Sequence, residues 1–399
     1  MTETQTPGKK TILLFSANYL PTIGGVEKFT ASLSSELEKL GHHAIIVTNN
    51  TFNLPEQETL ATGAEIYRLP CLSIIDGRLP IPHKTKKYKQ LVSKITQINV
   101  DYILINARFY PHSLLGAKIA KKKNITPIIL DHGSNYLTLN NTALDYIVKL
   151  YEHAITALLK KYCGAYYGIS QASLNWLKTF KITGSGVISN AIDADNYFSH
   201  ASTRDYRNEL KLPDGSFIVS FTGRLIKEKG ILPMLEAAEF FLQKDPSIHF
   251  VIAGDGPLKK HIVEKNLPNT HYVGKITPPD IAALLVQSNV FCLPSRSEGF
   301  STSLLEASSC YAPSITTNVG GAAELFPNIN FGITLNSATK KEIVESIYYL
   351  KQHPEQASAI GANAGNRVRE LFSWNNTVGH FLDACMSANP NQETTHSHS

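Results

Sequence analysis

Short apolar runs alternate with helical stretches along most of the chain, and this alternation constrains the fold more than any other feature. The beginning of the chain shows the pattern: residues 11–16 are apolar, a loop with Gly24 and Gly25 follows, and apolar residues then recur at helical spacing up to Leu40. Because the apolar runs are nearly continuous, we expect the strands to be buried on both faces. The sequence therefore predicts an α/β protein with parallel sheets covered by helices.

Two series of strands and helices follow one another, with a polar stretch near residues 190–213 between them. The expected strands are residues 11–16, 44–48, 102–105, 127–130 and 165–169 in the first series, and 217–222, 249–253, 272–273, 290–293 and 314–316 in the second. A length of 399 residues also exceeds what one hydrophobic core ordinarily organises. We therefore predict an N-terminal Rossmann-like domain over residues 1–195 and a C-terminal Rossmann-like domain over residues 196–371.

The end of the chain is predicted to leave the second domain. Residues 372–388 include an amphipathic stretch, which predicts a helix that packs back on the N-terminal domain, and the polar residues 389–399 predict a disordered tail. Ligands of parallel α/β sheets bind outside the carboxyl ends of the strands. We therefore expect the two sheets to face one ligand cleft between the domains.

Composition excludes several classes of protein. Hydrophobic residues make up 43% of the chain and charged residues 18%, which is the balance of a folded globular protein. The net charge of +5 is mild, and neither an aromatic RNA-binding signature nor a zinc-finger spacing is present, so no nucleic acid partner is expected. The charge suits an anionic small molecule or an anionic membrane surface.

Cysteine usage and the N-terminus favour a cytoplasmic protein. The apolar run at residues 11–15 is too short to span a bilayer and lacks the layout of a signal peptide. An odd number of cysteines without a Cys-x-x-Cys pair is typical of a reducing compartment. The five cysteines are Cys71, Cys163, Cys292, Cys310 and Cys385.

Glycines and cations follow the first strand of each series. Gly24 and Gly25 open the first helix, where backbone N–H groups can approach an anion; the alternative is an ordinary tight turn. Arg224 and Lys229 follow the strand at 217–222, and two cations there match a diphosphate; the alternative is a solvated charged loop. Both strand ends are therefore candidates for phosphate binding.

The segment at residues 294–307 carries the strongest signal. Glu298 lies in a loop after the strand at 290–293, and Glu306 lies on the helix that follows. Between them, the N–H groups of Phe300, Ser301 and Thr302 form a helix N-terminus suited to phosphate. One carboxylate can accept hydrogen bonds from sugar hydroxyls and the other from ribose hydroxyls. The alternatives are a capping box for Glu306, with Ser303 as its partner, and a turn carboxylate for Glu298.

This segment resembles the E-x7-E motif of retaining glycosyltransferases of the GT-B fold, specifically family 4. Further motifs of that family occur in the same order as in the family, and their positions are spread over most of the chain. They are Gly24-Gly25-x-Glu27, Asp131-His132-Gly133, Asn190-Ala191-Ile192-Asp193, Gly223-Arg224 with Lys229-Gly230, Gly254-Asp255-Gly256-Pro257, and Gly320-Gly321 with Glu324.

The resemblance implies a role for each matching residue. It implies that Arg224 and Lys229 neutralise the donor diphosphate, that Glu306 binds the ribose, and that Glu298 binds the transferred sugar. It also implies that His132 lies beside the sugar and the attacking hydroxyl, although a histidine after a strand can equally be structural. The other residues implied in donor binding are Gly24, Gly25, Val273, Lys275, Gly299, Phe300, Ser301 and Thr302.

The resemblance further implies the reaction. It implies retaining transfer of a hexose or related sugar from a nucleotide diphosphate sugar, with UDP the preferred nucleotide, to a glycan or lipid-linked acceptor of bacterial surface polysaccharide or glycolipid biosynthesis. No metal or other cofactor is expected, and the D-x-D sequence at Asp193 and Asp195 is interpreted as structural. The alternatives are a phosphorylase or sugar-nucleotide epimerase of the same fold, and a non-catalytic binder of nucleotide sugars.

Two departures from the family pattern lie near the expected donor pocket. Ser301 stands where the family usually has glycine, and Tyr311-Ala312-Pro313 stands where it usually has Gly-x-Pro. Both departures bear on the identity of the sugar more than on the class of reaction.

Basic clusters in the first domain are candidates for contact with anionic lipid head groups, or else solvated helix faces. The helix expected at residues 143–162 could also dock to a bilayer, but its apolar residues are expected to pack in the core. The basic clusters consist of Lys84, Lys86, Lys87 and Lys89, and of Lys118, Lys121, Lys122 and Lys123.

Overall fold

A computed structural model describes residues 8–22, 24–74, 77, 79–138, 141–162 and 164–390. The chain divides into two compact units. Unit 1 comprises the chain up to Ile169, Ser173–Ile188, and the chain from Trp374 onward, and unit 2 comprises Ser170–Ala172 and Ser189–Ser373. The predicted domain boundary at residue 195 falls within a helix, Ala194–Ser199, that lies wholly in unit 2.

Unit 1 is built on a sheet of eight strands in the order β10-β9-β8-β7-β1-β2-β4-β3. All neighbours are parallel except β3 and β4, and β5 and β6 form a separate antiparallel hairpin. The strands are β1 Thr11–Phe15, β2 His43–Asn49, β3 Gln57–Thr59, β4 Glu65–Leu69, β5 Cys71–Ile74, β6 Leu79–Pro82, β7 Tyr102–Asn106, β8 Ile128–Asp131, β9 Ala165–Gly168 and β10 Gly186–Val187.

Unit 2 is built on a sheet of six parallel strands in the order β13-β12-β11-β14-β15-β16. Every residue of the inner strands β12 and β14 is buried, as expected for strands covered by helices on both faces. The strands are β11 Phe217–Thr222, β12 Ile248–Ala253, β13 Thr270–Gly274, β14 Val290–Leu293, β15 Ser314–Thr317 and β16 Ile333–Leu335.

Helices connect most of these strands, and short 3-10 turns occur at Lys178–Phe180 and Lys227–Lys229. The predicted α/β architecture with two Rossmann-like parallel sheets is thereby confirmed. In chain order the helices are α1 Gly25–Lys39, α2 Lys86–Gln97, α3 Pro111–Lys122, α4 Thr142–Leu159, α5 Gln171–Leu177, α6 Ala194–Ser199, α7 Tyr206–Glu209, α8 Ile231–Lys244, α9 Lys259–Lys265, α10 Pro278–Gln287, α11 Thr302–Ser309, α12 Ala322–Leu325, α13 Lys340–Gln352, α14 Pro354–Leu371 and α15 Trp374–Ala388.

Strand β4 was missed by the sequence pattern although it pairs with β2 inside the sheet of unit 1. Its run contains Arg68, a residue type that is almost never buried without a partner. In the structure the Arg68 guanidinium donates to the Pro55 carbonyl at 3.0 Å and to a Glu58 carboxylate oxygen at 2.6 Å. These partners allow a charged residue in a buried strand, and they lie too far away along the chain for the apolar pattern to reveal them.

The C-terminal helix α15 packs against α1 within unit 1, as predicted. Its first residue, Trp374, places its ring 5.7 Å from that of Phe29. The predicted tail at residues 389–399 begins too early, because Asn389 is buried and exchanges hydrogen bonds with the Thr126 backbone. Residues 391–399 lie outside the described part of the chain, as does Cys163, while Cys71, Cys292, Cys310 and Cys385 are free thiols.

Helix α4 corrects a second expectation. Its buried face includes Ile155 and Leu159, but Ile147, Leu150 and Leu158 are exposed and do not pack in the core. The helix therefore carries a second, apolar face opposite its buried face, and the described residues leave that second face uncovered. Among the described residues, no helix is both long and apolar enough to cross a membrane.

Candidate active site

In unit 2, the candidate site forms where two neighbouring strands end. Strands β11 and β14 are parallel neighbours, so the loops after both lie at the same edge of the sheet. Lys229 follows β11 in the turn Lys227–Lys229, and Glu298 follows β14. The Lys229 Nζ and a Glu298 carboxylate oxygen are 2.5 Å apart, and both side chains are largely buried. The structure thus brings together a predicted cation and a predicted carboxylate.

Backbone contacts hold these two loops against each other. The Arg296 N–H donates to the Glu228 carbonyl at 2.7 Å. Gly230 has a φ of +73°, and a Cβ there would lie 2.0 Å from the Pro294 carbonyl oxygen, so a side chain would separate the loops. Only glycine can adopt this positive φ and also allow the close approach to Pro294 without strain. The Lys229-Gly230 pair therefore supplies the cation and the close approach that places it beside Glu298.

Two glycines in the loop after strand β15 also support the Glu298 loop. Gly320 has a φ of +58°, and a Cβ there would lie 2.6 Å from the Gly299 carbonyl oxygen. A Cβ on Gly321 would lie 2.1 Å from the Phe300 ring. That ring also packs against Phe372, with centroids 5.2 Å apart. The loop from Glu298 to Phe300 is therefore fixed by packing on both sides.

Helix α11 begins directly after this loop. Ser301 is the N-cap residue and makes no side-chain capping hydrogen bond, so the first N–H groups of the helix keep their capacity to bind an anion. Ser303 lies inside the helix and not at its N-cap, so the capping box considered for Ser303 and Glu306 does not form. Glu306 lies on the second turn of the helix. Burial raises the pKa of the Tyr197 hydroxyl, and the nearby charge of Glu306 raises it further.

Three further predicted donor-binding residues lie at the same edge of the sheet in unit 2. The Arg224 side chain is exposed and makes no hydrogen bond or ion pair with the residues that the structure describes. Val273 and Lys275 flank the end of β13, where the Gly274 carbonyl accepts a hydrogen bond from the Gly254 N–H at 2.8 Å. The strand order puts β13 two strands away from β11, so Val273 and Lys275 do not join the Lys229–Glu298 pair.

In unit 1, Gly24 and Gly25 lie at the start of α1. Gly24 is extended, with φ −143°, and Gly25 is the first helical residue, so neither glycine is needed for a left-handed turn. A Cβ on Gly25 would meet no atom within 4 Å. The missing side chain of Gly25 thus leaves open space at the helix N-terminus, while a Cβ on Gly24 would lie 2.3 Å from a Glu27 carboxylate oxygen.

His132 follows β8 in unit 1 and packs close to α1. Its ring lies edge-on to Phe29, with centroids 5.2 Å apart, and its Nε2 is 2.8 Å from the Asn106 Oδ1. Burial lowers the pKa of His132 to about 3, so the ring is neutral at physiological pH. A neutral ring carries one proton and can therefore act as a hydrogen-bond donor at one nitrogen and an acceptor at the other.

A buried ion cluster beside His132 was missed by sequence reasoning. Arg108, only 1% exposed, binds Asp131 at 3.0 Å, Glu152 at 3.2 Å and the Thr156 hydroxyl at 3.1 Å. Glu152 in turn accepts a hydrogen bond from the Leu137 N–H at 3.0 Å. The cluster therefore anchors both ends of the loop that carries His132.

Burial raises the pKa of the Asp131 and Glu152 carboxyls, and the Arg108 charge opposes that rise. The signal available in the sequence was Asp131, which directly precedes His132. Its partners Arg108 and Glu152 carry no motif, and charged residues in a sequence are ordinarily assigned to the surface.

The D-x-D sequence has structural partners. Asp193 caps α6 by accepting the Asn196 N–H at 3.2 Å, and Asp195 accepts a hydrogen bond from Arg369 at 2.7 Å. Among the residues that the structure describes, no group of three or more His, Cys, Asp or Glu side chains is placed to hold a metal ion.

Two family models match consecutive parts of the chain. The model described as "Glycosyltransferase Family 4" matches residues 23–196, and the model described as "Glycosyl transferases group 1" matches residues 202–367. The first covers most of unit 1, including Gly24, Gly25 and His132. The second includes Arg224, Lys229, Glu298 and Glu306.

Relatives and solved structures agree with these matches. An uncharacterised glycosyltransferase of Methanocaldococcus jannaschii is 25% identical over 385 residues, which cover 93% of this chain and 96% of the relative. The GPI3 subunit of Saccharomyces cerevisiae phosphatidylinositol N-acetylglucosaminyltransferase is 23% identical over 321 residues, covering 78% and 68%. The crystal structure of Anabaena Alr3699/HepE in complex with UDP superposes with a TM-score of 0.72 at 18% identity, covering 95% and 100%.

The two family models together match most of the chain, and the solved structure has the same fold. Both findings identify the same family. The chain belongs to the glycosyltransferases of the GT-B fold, of the family 4 type.

Proposed function

We propose that this glycosyltransferase transfers a hexose, with retention of the anomeric configuration, from a UDP-sugar to a lipid-linked or glycan acceptor of surface polysaccharide or glycolipid biosynthesis. The observation that carries the proposal is the apposition of Lys229 and Glu298, 2.5 Å apart, beside the N-terminus of α11. A cation, a helix N-terminus and a carboxylate at one place match a sugar diphosphate. UDP is the nucleotide present in the superposed Anabaena structure, which supports the choice of donor.

Each part of the site has a task in this proposal. Lys229, Arg224 and the N–H groups from Phe300 to Thr302 stabilise the negative charge that develops on the departing diphosphate. Glu298 and Gly299 hold the hydroxyls of the transferred sugar, and Glu306 holds the ribose. The backbone at Val273 and Lys275 reads the base, and the N–H groups at Gly24 and Gly25 bind the diphosphate.

The proposed chemistry is a front-face substitution. The acceptor oxygen forms a bond to the anomeric carbon on the face from which the phosphate oxygen leaves, and the acceptor proton passes to that leaving phosphate oxygen. His132 lies beside the sugar and the attacking hydroxyl. The side-chain cations and the helix terminus supply the positive charge, so the proposed reaction proceeds without a metal ion.

The test is a panel of sugar nucleotides incubated with lipid-linked and glycan acceptors in excess EDTA. We expect release of free UDP that depends on the acceptor, a product with the anomeric configuration of the donor, and a rate that EDTA does not change. At a concentration of 100 times its dissociation constant, the true donor should also raise the free energy of unfolding by about 2.7 kcal/mol.

The same assay separates the alternatives. Loss of turnover in EDTA that Mg²⁺ restores would contradict the metal-independent proposal. Turnover that requires inorganic phosphate would indicate a phosphorylase, and conversion of the donor sugar without an acceptor would indicate an epimerase. Donor binding without release of nucleotide would indicate a non-catalytic binder.

The exposed face of α4 supports a lipid-linked acceptor presented at a membrane. Ile147, Leu150 and Leu158 are 60%, 53% and 47% exposed and, together with Ala143 and Ala154, recur at helical spacing along one face. An exposed apolar face of this length marks an interaction site. The yeast relative, whose name includes phosphatidylinositol, is consistent with a lipid acceptor.

Lysines gather at the C-terminal end of this face. Lys161 is exposed just after α4, and the ammonium of the exposed Lys121 on the neighbouring helix α3 lies 5.7 Å from the Tyr162 ring. Lys160 is exposed as well, but its ammonium donates to the Phe180 and Lys181 carbonyls. Each lysine near an anionic surface contributes about 1 kcal/mol to binding. We therefore propose that the α4 face docks peripherally to a bilayer that contains anionic lipid.

Replacing Leu150 with glutamate is expected to weaken binding to anionic vesicles at least tenfold, because burying one leucine contributes roughly 1.5–3 kcal/mol. The measurement is co-sedimentation with phosphatidylglycerol-containing vesicles at low salt. The matched control is Leu72→Glu, since Leu72 on β5 is also 53% exposed. Equal effects of the two substitutions, or no binding by the wild type, would contradict the proposal. A change in oligomeric state without vesicles would assign the face to a second copy of the chain.

A further inference from the structure

A chain of three hydrogen bonds runs through the interior of unit 1 and ends at His132. The Thr30 hydroxyl donates to the Val26 carbonyl at 2.8 Å, the Asn106 Nδ2 donates to the Thr30 Oγ1 at 3.1 Å, and the His132 Nε2 lies 2.8 Å from the Asn106 Oδ1. Thr30 and Asn106 are both buried, so water does not compete for these contacts. The chain connects the backbone of α1 to the imidazole ring through the end of strand β7.

The polarity of this chain is determined from its α1 end. A carbonyl oxygen can only accept, so the single hydroxyl hydrogen of Thr30 points to Val26. The Thr30 oxygen must then accept from Asn106, which turns the amide NH₂ toward Thr30 and the amide oxygen toward His132. That oxygen can only accept, so the imidazole proton is on Nε2. The flipped amide would place its acceptor against the Thr30 oxygen, and the Thr30 hydroxyl could then donate to it only by giving up its 2.8 Å hydrogen bond to the Val26 carbonyl.

The residues around the His132 ring fix its orientation and keep it neutral. Phe29 lies edge-on to His132 and is itself in contact with Trp374 of α15, so the ring plane is held by aromatic packing. Burial keeps the ring neutral, as its lowered pKa indicates. A neutral ring with its proton on Nε2 has a lone pair on Nδ1, and Nδ1 makes no hydrogen bond with the described residues.

We propose that Thr30 and Asn106 are positioning residues that hold His132 in the Nε2–H tautomer, so that Nδ1 accepts a hydrogen bond from a substrate hydroxyl. The part that concerns the substrate rests on the function proposed above. The consequence for specificity is directional: Nδ1 binds a group that donates a hydrogen bond. A hydroxyl meets this need, and an O-methylated or deoxygenated group at the same position does not.

The experiment is long-range ¹H–¹⁵N correlation NMR on the full-length protein with ¹⁵N-labelled histidine. The chain has 14 histidines, and the His132 signals are identified by their absence in His132→Gln. We expect Nε2 at the shift of a protonated nitrogen and Nδ1 at that of a bare nitrogen. In Thr30→Val the amide is released, and the Nδ1–H tautomer appears. Thr30→Ser keeps the hydroxyl and should retain the wild-type spectrum.

A rescue variant tests the direction of the hydrogen-bond relay that runs from Thr30 through Asn106 to His132. Both carboxylate oxygens of an aspartate accept, so the double substitution Thr30→Val with Asn106→Asp should restore the proton on Nε2. Turnover should fall roughly tenfold in Thr30→Val, which is the effect of one lost hydrogen bond, and should be kept in Thr30→Ser.

The outcomes separate this inference from the proposed function. A wild-type ring protonated on Nδ1, or an Nε2–H spectrum that persists in Thr30→Val, overturns the relay even if the enzyme transfers sugar. A tautomer that responds as expected in a protein that turns over no sugar nucleotide supports the relay and contradicts the proposed function. O-methylation of each donor hydroxyl in turn should identify one position that becomes insensitive to Thr30→Val.

Discussion

Lys229→Ala is expected to lower kcat roughly 100- to 1,000-fold, which is the effect of removing one preorganised group that stabilises developing negative charge. Lys229 is held by the Gly230 turn and by Glu298, so its ammonium is already in place when the diphosphate binds. A group that needs no reorganisation contributes most in the transition state. The measurement is steady-state release of nucleotide from the donor identified in the panel.

The matched control is Lys227→Ala. Lys227 belongs to the same 3-10 turn and carries the same charge, but its side chain is exposed and makes no ion pair among the described residues. We expect its kcat to stay within about twofold of the wild type. An unchanged rate in Lys229→Ala, or an equal loss in Lys227→Ala, would show that net charge and not the Lys229 position matters, and the assignment of the site would fail.

Arg108→Leu is expected to lower the free energy of unfolding of unit 1 by about 3–5 kcal/mol at neutral pH. The substitution leaves Asp131 and Glu152 buried without their cation, and an uncompensated buried charge is strongly destabilising. The measurement is urea unfolding followed by tryptophan fluorescence. It reports unit 1, because both tryptophans of the chain, Trp176 and Trp374, belong to that unit.

The loss of stability in Arg108→Leu is also expected to depend on pH. Burial raises the pKa of both carboxyls, and without Arg108 only hydrogen bonds from backbone N–H groups, such as that of Leu137 to Glu152, oppose the rise. As pH falls through these raised values the carboxyls take up protons and the buried charge disappears. The difference in stability between wild type and variant should therefore be largest at neutral pH and smaller in acid.

The control for Arg108 is another arginine that contacts two carboxylates. Arg204 pairs with Glu209 at 2.7 Å and with Asp280 at 3.6 Å, but it is partly exposed. Arg204→Ala should cost less than about 1 kcal/mol, since exposed ion pairs contribute little. If both substitutions cost the same, burial would not be the reason for the Arg108 effect.

The sequence by itself determined the layered architecture and the strand ends that carry the site. The strands at Phe217–Thr222 and Val290–Leu293 were predicted with the bounds that the structure shows, because doubly covered strands are short, continuous apolar runs. The loops after such strands follow from the same pattern. Arg224, Lys229, Glu298 and Glu306 could therefore be assigned to strand ends or to a helix start from the apolar pattern alone.

Only the tertiary structure decided which of these residues touch. Lys229 and Glu298 are 69 residues apart in the chain, and their contact depends on the pairing of β11 with β14 and on glycines that allow two loops to meet. The same limit hid Arg108, whose burial is stabilised by carboxylates distant in sequence. It also hid the exposed face of α4, because helical periodicity shows that a face is apolar but not what covers it. Local patterns report the burial of segments, while charge partners and uncovered faces depend on how distant segments pack.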